Sequence, residues 1–426
     1  MIHTATPPAA GRRDGYMVVF LFVCLVALLG ILAISLDGGS LLSERRHAQA
    51  AADAAALAAA SDLYKYYWEH SGADPNGSAR SSALRTAARN GFDNNDATTT
   101  VTVNLPPQSG PYAGRRGYVE VIVEGNEARG FSSVFGSDLL TVRARAVALG
   151  APVAADVGIL VLDPSARAAL NSQGGGLTDV GGTPVIVNSA HPDAAAVAGG
   201  GGALKSDEFI FVGGHTTSGG GQFIGPITRA KVPVFDPLAD LPVPDKNSMT
   251  EQSNKKVQHT SGNIYLEPGV YKGGISVSGS ASLYLAPGVY YMDGGGFSFS
   301  GQGSLFGEGV MIYNAPKQGQ SSGISVSGQG SLVLSGMTEG VYKGITFFQD
   351  RTSNTTGEVQ GAGGNTSITG TFYFAGALLK ISGNGGVSNM GSQYISRMLN
   401  LGGNGGIQIN WNPEHVAQRR TIALVE

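Results

Sequence analysis

A short sequence pattern recurs three times in the C-terminal half of the chain. GSASL (279–283), GQGSL (301–305) and GQGSL (328–332) begin 22 and 27 residues apart, and each continues a segment ISVSG or FSFSG. A fixed period of roughly 20–50 residues is the signature of stacked supersecondary units, each of which buries its apolar face against its neighbour. This recurrence restricts the region to a repeat architecture.

The residues of the repeat predict what kind of unit is stacked. Apolar and β-branched residues alternate with serine, as in strands whose side chains point inward and outward in turn, and glycines supply corners with positive φ. Leucine-rich repeats share the period, but their regular leucines and asparagine are missing. We predict a mainly β fold in which residues 156–426 form a right-handed parallel β-helix, or solenoid, because a β-sandwich would not explain the repeat. Its predicted inward residues are Ile275, Val277, Phe297, Phe299, Ile324 and Val326.

The overall composition fits stacked short strands with tight turns. The chain has 65 glycines among 426 residues, about twice the usual share of roughly 7%, and no Gly-X-Y period, which excludes collagen. Charged residues make up 14%, and the net charge is −3. Without a basic patch, binding to nucleic acid is not expected. Cys24 is the single cysteine, so no intrachain disulfide can form.

An uncharged apolar run lies near the N-terminus. Tyr16–Leu36 spans 21 residues, enough to cross about 30 Å of hydrocarbon at about 1.5 Å per residue. A cleaved signal peptide is the alternative, although its apolar region is usually shorter, about 7–15 residues. We predict an uncleaved transmembrane helix over 16–36. The positive charges of Arg12–Arg13 before the span and Arg45–Arg46 after it nearly balance, so they give little preference for either orientation. The short tail, residues 1–15, still favours a cytoplasmic N-terminus.

A small α+β unit is predicted over residues 37–155. Asp37–Gly39 is expected to break the helix, and Ser40 to cap a new alanine-rich helix that continues to about His70 and packs on the rest of the unit. The remaining predicted elements are helices at Ser81–Asn90 and Gly130–Phe135 and alternating strands at 97–105, 118–125 and 139–149. Later, the proline-rich Asp236–Pro244 predicts an extended strap between early and late coils, and Asp245–Thr260 an exposed loop.

Two aspartates in the predicted solenoid stand out as candidates for chemistry. Asp163 opens Asp-Pro-Ser-Ala-Arg, which resembles the metal-ion adhesion motif of von Willebrand type A domains except that Arg167 replaces the second serine; a turn gives the same pattern. Asp350–Arg351 follows a buried strand, but glycosidic hydrolysis requires two carboxylates within reach. The histidines lack metal-ligand spacing. We therefore nominate no catalytic, cofactor-binding or metal-binding residue.

Two parts of the chain resemble known proteins. Residues 12–60, with Arg13, Asp37, Gln49 and Asp53 at the characteristic positions, resemble the N-terminal segment of TadG-like proteins of Flp, or tight-adherence, pilus assembly. Residues 156–407 resemble the β-helical ectodomain of one branch of that group. The matching segments are ILVLDPSARAAL (159–170), FDPLADLP (235–242), GVYKGGISVSG (269–279), GITFFQD (344–350) and ITGTFYF (368–374). Relatives often carry cysteines in these coils, and this chain has none there.

The resemblance implies a role in the bacterial cell envelope. It suggests a single-pass protein of the inner membrane with its C-terminal domain outside the cytoplasm, acting as a non-enzymatic structural or accessory component of pilus assembly or adhesion. The implied partners are the lipid bilayer, through residues 16–36, and other pilus or envelope proteins, with a glycan surface as a further candidate. No cofactor is implied. The alternative is a polysaccharide-active β-helix enzyme, a lyase or hydrolase.

Overall fold

The chain divides into two units, one built on a long helix and one built of parallel strands. The computed structural model describes residues 14–95, 98–131, 133, 139–317, 322–362 and 365–426. The first unit comprises Met1–Ala151 together with Thr421–Glu426, and the second comprises Pro152–Arg420. Each unit encloses its own hydrophobic core.

One long helix dominates the first unit. Helix α1 (Asp14–Lys65) is continuous over 52 residues, about 78 Å at about 1.5 Å per residue. The predicted break at Asp37–Gly39 and the predicted cap at Ser40 are therefore wrong. Two glycines cost about 1 kcal/mol each relative to alanine, but an apolar run and an alanine-rich run, both strong helix formers, flank them. The Asp37 carboxylate also accepts a hydrogen bond from the Phe131 backbone N–H at 3.0 Å.

Two shorter helices follow α1. Helix α2 (Tyr67–His70) ends where Ser71 adopts the left-handed conformation, so the helical segment does stop at about His70 as predicted, although it is interrupted after Lys65. Helix α3 (Ser78–Arg89) begins three residues before the predicted start. The Asp74 carboxylate explains the earlier start, because it accepts hydrogen bonds from two backbone N–H groups of the first turn.

Three antiparallel strands complete most of the first unit. Strands β1 (Thr99–Asn104), β2 (Tyr118–Glu127) and β3 (Leu140–Ala154) pair in that order, which confirms the three predicted strands with small changes at their ends. The helix predicted at Gly130–Phe135 falls largely outside the described residues. The unit packs on α1, as expected from its alternating apolar pattern.

The interface between α1 and the rest of its unit is built from small side chains. Seven alanines of α1 are completely buried at helical spacing: Ala48, Ala51, Ala52, Ala55, Ala56, Ala59 and Ala60. They meet the buried alanines of α3 and the buried valines of β1 and β2. Small residues allow the backbones to approach closely, and Gly150 on β3 shows how closely: a Cβ there would lie 1.9 Å from the Ala60 carbonyl oxygen.

A buried carboxylate stabilises the sheet of the first unit. Glu120 on β2 is 1% exposed and accepts hydrogen bonds from Asn104 Nδ2 (2.7 Å), Ser109 Oγ (2.6 Å) and Arg145 Nε (2.6 Å). Burial alone would raise its pKa, but these hydrogen bonds outweigh burial and lower the pKa of Glu120 to about 2. The ionised form is therefore part of the fold.

The second unit begins with a first stack of coils. In chain order its strands are β4 (Ile159–Val161), β5 (Leu170–Gln173), β6 (Leu177–Gly181), β7 (Val185–Val187), β8 (Ala195–Ala198), β9 (Ala203–Ser206), β10 (Phe209–Phe211), β11 (His215–Ser218), β12 (Gln222–Ile224) and β13 (Ile227–Arg229). A connecting segment, residues 230–250, follows; we call it the strap. It contains a short 3₁₀ helix, Lys246–Ser248.

A second, longer stack follows the strap. Its strands are β14 (Glu251–Ser253), β15 (Val257–His259), β16 (Asn263–Leu266), β17 (Gly269–Lys272), β18 (Ile275–Val277), β19 (Ser282–Leu285), β20 (Gly288–Asp293), β21 (Phe297–Phe299), β22 (Leu305–Gly307), β23 (Val310–Ala315), β24 (Ile324–Val326), β25 (Leu332–Leu334), β26 (Ile345–Gln349), β27 (Gly357–Gly361), β28 (Thr366–Ile368), β29 (Thr371–Gly383), β30 (Ser388–Met390), β31 (Gln393–Gly403) and β32 (Ile407–Asn410). The predicted loop at Asp245–Thr260 is wrong in part: it is mostly exposed, but it contains β14 and β15 because they pair with β17 and β18.

The two stacks form a single parallel β-solenoid of about 11 turns. Each full coil supplies one strand to each of three faces. Face one contains β4, β7, β10, β13, β14, β17, β20, β23, β26 and the first parts of β29 and β31. Face two contains β5, β8, β11, β15, β18, β21, β24, β27 and the later parts of β29 and β31. Face three is a ten-stranded sheet in the order β12-β9-β6-β32-β30-β28-β25-β22-β19-β16.

The coils do not stack in chain order. The last coil of the second stack pairs with the first coil of the first stack, through β31 with β4 and β5, and β32 with β6. The first coil in chain order therefore lies in the interior of the solenoid. The following coils of the first stack extend from it toward one end. The strap then carries the chain to the far end, and the second stack grows back to the starting coil.

The predicted repeat positions have the expected register. Ile275 pairs with Phe297 and Phe297 with Ile324, and Val277, Phe299 and Val326 align in the same way. All six side chains are completely buried. The serines between them are also in register and lie on the outer side of face two. The parallel solenoid and its inward residues are thus confirmed.

A last strand, β33 (Gln418–Leu424), joins the sheet of the first unit beside β3. Two backbone hydrogen bonds, Val147 N–H to the Glu426 carbonyl (2.9 Å) and Val425 N–H to the Val147 carbonyl (2.8 Å), connect the chain end to β3. Arg145 also forms an ion pair with the Glu426 carboxylate. The solenoid predicted over 156–426 thus includes residues that pair with the first unit, and no local sequence pattern indicates this pairing.

The same substitution should have opposite effects at two glycines of the first unit. Gly150→Ala should lower the free energy of unfolding by about 1–3 kcal/mol, because the new methyl group meets the backbone of α1. Gly39→Ala, in an open part of α1, should raise it by up to about 1 kcal/mol. Denaturant unfolding in detergent, followed by Trp68 fluorescence in a Trp411→Phe background, checks both. Equal effects at the two sites would contradict the close packing.

Glu120→Gln should destabilise the first unit in a pH-dependent way. The pKa of Glu120 in the folded chain, about 2, lies below the ordinary value of about 4.3. Its charge therefore stabilises the fold above pH 4.3, and this is lost as the pH falls toward 2. We expect a loss of about 3 kcal/mol at pH 7, shrinking to less than half at pH 3. Glu124→Gln, which breaks an exposed ion pair with Arg143, is the control and should cost under about 1 kcal/mol.

Candidate membrane anchor, strap contacts and solenoid groove

The first half of α1 exposes almost nothing but apolar side chains. Met17, Phe20 and Ile34 are 79%, 72% and 68% exposed, and most large residues between Met17 and Leu36 are similarly uncovered. Within the described residues, one helix is long and apolar enough to cross a membrane, and this segment supplies its apolar part. Exposed apolar residues over this length favour a lipid surrounding. The segment coincides with the predicted span, 16–36.

The polar residues of the N-terminal motif tie α1 to its own unit. Gln49 Nε2 donates hydrogen bonds to Asp53 Oδ1 (2.7 Å) and to the Arg145 carbonyl oxygen on β3 (3.0 Å). The Asp37 carboxylate accepts a hydrogen bond from the Phe131 backbone N–H. These three motif residues thus position the helix against the sheet. Arg13, the fourth, lies outside the described residues.

Asp163, the first candidate aspartate, is engaged in a turn. Its Oδ1 accepts hydrogen bonds from the backbone N–H groups of Ser165 (3.0 Å) and Ala166 (2.7 Å), and its Oδ2 from Arg397 Nε (3.0 Å). Burial would raise its pKa, but these hydrogen bonds lower the pKa of Asp163 below the usual range. Arg167 pairs with Asp193 at the surface. The motif acts here as a turn that is tied to a neighbouring coil.

Asp350, the second candidate aspartate, is also engaged in hydrogen bonds within the fold. Its carboxylate accepts hydrogen bonds from the Tyr313 hydroxyl and from the backbone N–H (2.9 Å) and hydroxyl (2.6 Å) of Thr352. The strand order β26-β29-β31-β4 places it three strand spacings from Asp163, about 14 Å. Paired glycosidase carboxylates stand about 5–9.5 Å apart. Asp163 and Asp350 are therefore not such a pair, and no group of three or more His, Cys, Asp or Glu among the described residues could hold a metal.

An aromatic row covers the outer side of face one. Tyr291, Tyr313, Phe348 and Tyr373 follow one another from β20 to β29 with ring centroids 4.9, 5.0 and 4.9 Å apart. All four are buried although they point away from the solenoid interior, because the strap lies over this face. Leu238 of the strap is 1% exposed and belongs to the same cluster. The strap completes a second hydrophobic layer.

Arg351 fastens the strap to this layer. Its Nη2 donates hydrogen bonds to the Leu238 (2.5 Å) and Leu241 (2.9 Å) carbonyl oxygens, and its Nε bonds the Tyr373 hydroxyl at 2.7 Å. The guanidinium carbon also lies 5.1 Å from the Phe348 ring centroid and 5.2 Å from that of Tyr373. No local sequence pattern indicated this contact of Arg351 with the strap.

Further contacts follow the strap along its length. Asn188 in the first stack exchanges two hydrogen bonds with the Val234 backbone, at 2.7 and 2.9 Å. The Tyr373 hydroxyl donates to Asp236 Oδ2 at 2.6 Å; burial, and next the Asp236 carboxylate, raise the pKa of Tyr373. At the far end Lys246 pairs with Asp293 at 3.4 Å. The predicted strap at Asp236–Pro244 is thereby confirmed.

An open groove of about 890 Å³ runs along the corner between faces two and three. Its lining is neutral and polar: Gly279, Ser280, Gly301, Gln302, Ser327, Gly328, Gln329, Gln360, Gly361, Ala362, Asn384 and Gly385. From the sequence, the GQGSL segments were predicted only as corners of the repeat. The glutamine at their second position was the signal that could have indicated this surface.

Arg351→Ala should release the strap without unfolding the solenoid. We expect a loss of about 4.5 kcal/mol or more in the free energy of unfolding, since Arg351 donates three hydrogen bonds and those of a charged group contribute about 1.5–3 kcal/mol each. Trp411 fluorescence in a Trp68→Phe background measures it, and tryptic cleavage after Lys231 and Lys246 should accelerate. Lys272→Ala, which removes an exposed ion pair with Glu251, should do neither. Unchanged cleavage in Arg351→Ala would rule out the role of Arg351 as a clamp.

Comparison with known proteins finds one family match, and it lies within the apolar and alanine-rich helix α1. Residues 15–62 match the family model described as "Putative Flp pilus-assembly TadE/G-like". No curated protein and no solved structure matches the chain. The match covers the apolar segment and the buried alanine face, including Asp37, Gln49 and Asp53, whose contacts are given above. The N-terminal segment of this chain, residues 15–62, is thus similar to TadE/G-like Flp pilus-assembly domains, and a parallel β-solenoid follows it.

Proposed function

We propose that the chain is a single-pass protein of the bacterial inner membrane that serves Flp-type pilus assembly or adhesion as a structural or accessory component. The observation that carries this proposal is the exposed apolar helix surface at Met17–Leu36, which lies within the family match at 15–62. A surface of this kind is unfavourable in water and favourable in a bilayer. The membrane is therefore the first partner.

The C-terminal unit lies outside the cytoplasm in this proposal. Arg12 and Arg13 precede the span, while Arg45 and Arg46 follow it beside Glu44, so the charge rule alone gives little preference. The low content of charged residues, 14%, agrees with an exported domain.

The solenoid acts by contact rather than by catalysis in this proposal. The carboxylates of the two candidate aspartates, Asp163 and Asp350, accept hydrogen bonds within turns, and that of Asp163 also accepts one from a neighbouring coil. A solenoid with a covered face one and open faces two and three presents a long, rigid surface, which is the common use of repeat folds. Other pilus or envelope proteins are the partners that the N-terminal domain suggests.

Cysteine labelling tests the topology, because Cys24 is the only native cysteine. In a Cys24→Ala background, Ser325→Cys places a thiol on the outer side of face two, and Thr4→Cys places one in the tail. A membrane-impermeant maleimide should label Ser325→Cys in intact spheroplasts and Thr4→Cys only after lysis. The reverse pattern would overturn the proposed orientation, and labelling of neither variant before lysis would contradict the external location.

A photo-reactive residue tests the contact role in the same cells. Phe235, at the start of the strap, is 93% exposed, so its replacement leaves the core intact. Cross-linking in the native host should capture a pilus or envelope component. The matched control is a photo-reactive residue at the buried Phe347, which should capture nothing. Recovery of no envelope component from Phe235 would count against the proposed role.

A further inference from the structure

Each of five coils contributes an uncharged hydroxyl or carboxamide side chain to the groove between faces two and three. Gln302 and Gln329 occupy equivalent positions, whereas Gln360 lies two residues earlier, on face two. Ser280, Gln302, Gln329, Gln360 and Asn384 come from five consecutive coils of the second stack and all line it. Neighbouring coils are about 4.8 Å apart, so this row extends over about 19 Å. We call it the amide row. Its spacing is close to the length of one sugar unit.

The amide row has unused capacity for hydrogen bonding. Within the described part of the chain, none of its five side chains takes part in a hydrogen bond. A carboxamide or hydroxyl group both donates and accepts hydrogen bonds, as the hydroxyl groups of a sugar do. The groove lining also carries no charged side chain. An anionic ligand, such as a phosphate or a polyuronide, would therefore meet no complementary charge there.

A row of partly exposed aromatic side chains lies on face three beside the groove. Tyr265, Tyr284 and Phe306 point outward from β16, β19 and β22, with ring centroids 4.8 and 5.3 Å apart. Tyr265 is 71% exposed at the end of the row. Ser282 stands two residues before Tyr284, about 7 Å along the strand, between the aromatic row and the groove. Aromatic rings next to hydroxyl and amide groups can contact both the C–H and the O–H surfaces of a sugar.

The groove is poorly suited to a peptide. Binding of a peptide as an added strand requires an unpaired strand edge, but β21 and β24 beside the groove are paired on both sides. Helix-in-groove binding requires an apolar channel, whereas this lining is glycine, serine and carboxamide. A neutral polyol requires only the donors and acceptors that the amide row offers.

We infer that the amide row binds a neutral polysaccharide strand lying along the solenoid axis, with about one sugar per coil. The carboxamides of Gln302 and Gln329, at the centre of the row, bond its hydroxyl groups, and the aromatic row contacts its C–H surface. This inference rests on the proposed extracytoplasmic location for its biological setting. Binding by the purified chain can nevertheless be tested whatever its orientation in the membrane.

Calorimetry on the full-length chain in detergent tests the inference. The probes are cellohexaose, maltohexaose and chitohexaose, with hexagalacturonate as the charged comparison. At least one neutral oligosaccharide should bind, and hexagalacturonate should not. The Gln302→Ala, Gln329→Ala double variant should weaken binding about tenfold, because two hydrogen bonds are lost at about 0.5–1.5 kcal/mol each. Both side chains are exposed, so the fold should survive.

A matched double variant separates the groove from the rest of the surface. Gln173→Ala with Gln408→Ala removes two outward glutamines of other coils, β5 and β32, and should leave binding unchanged. Tyr284→Ala should weaken binding as well. The inference is overturned if no neutral oligosaccharide binds, if hexagalacturonate binds equally well, or if both double variants behave alike. Capture of an envelope peptide that depends on Gln302 and Gln329 would also overturn it. A reversed topology with intact sugar binding would refute the proposed function alone.

Discussion

Every coil of the solenoid depends on a neighbour for its backbone hydrogen bonds. A parallel strand cannot satisfy its N–H and C=O groups within its own coil, so stability comes from pairing between coils. The decisive pairing is that of β31 with β4, which joins the two stacks through Tyr394–Ile159 and its neighbours. Arg397 strengthens the same junction through Asp163. Without it, each stack would expose one additional open edge.

The strap follows from this arrangement. Because the second stack must grow back toward the first, the chain has to cross from one end of the solenoid to the other, and residues 230–250 make that crossing over face one. Proline suits such a segment because it needs no ladder hydrogen bond. The aromatic row on face one provides an apolar surface on which the strap packs. Arg351 donates hydrogen bonds to carbonyl oxygens of the strap. Faces two and three stay open, and the candidate groove lies between them.

Much of this architecture could be predicted from local patterns. Alternation and period identified the solenoid and its inward row from Ile275 to Val326, and length identified the apolar span. What could not be predicted was decided by distant partners. No local signal says that the coil of Ile159 lies against that of Tyr394, or that the chain end joins β3. The glycines at 38 and 39 gave a misleading signal, since their cost is small beside the helix formers around them. The groove could not be predicted from the sequence, because only the stacking of the coils aligns Gln302 with Gln329.

The stacking order also determines when the fold can be completed. Asp163 and Arg397 are 234 residues apart in sequence, so the coil that begins the solenoid waits until nearly all of the chain has emerged before its second neighbour exists. Contacts of such long sequence separation fold slowly, and an unpaired strand edge invites association with other chains meanwhile. In a solenoid that stacks in chain order, the outer edge of the first coil remains an end of the finished fold. Here the corresponding edge, β4, becomes an internal junction of the finished solenoid, so it stays unpaired until β31 has been made and can close it.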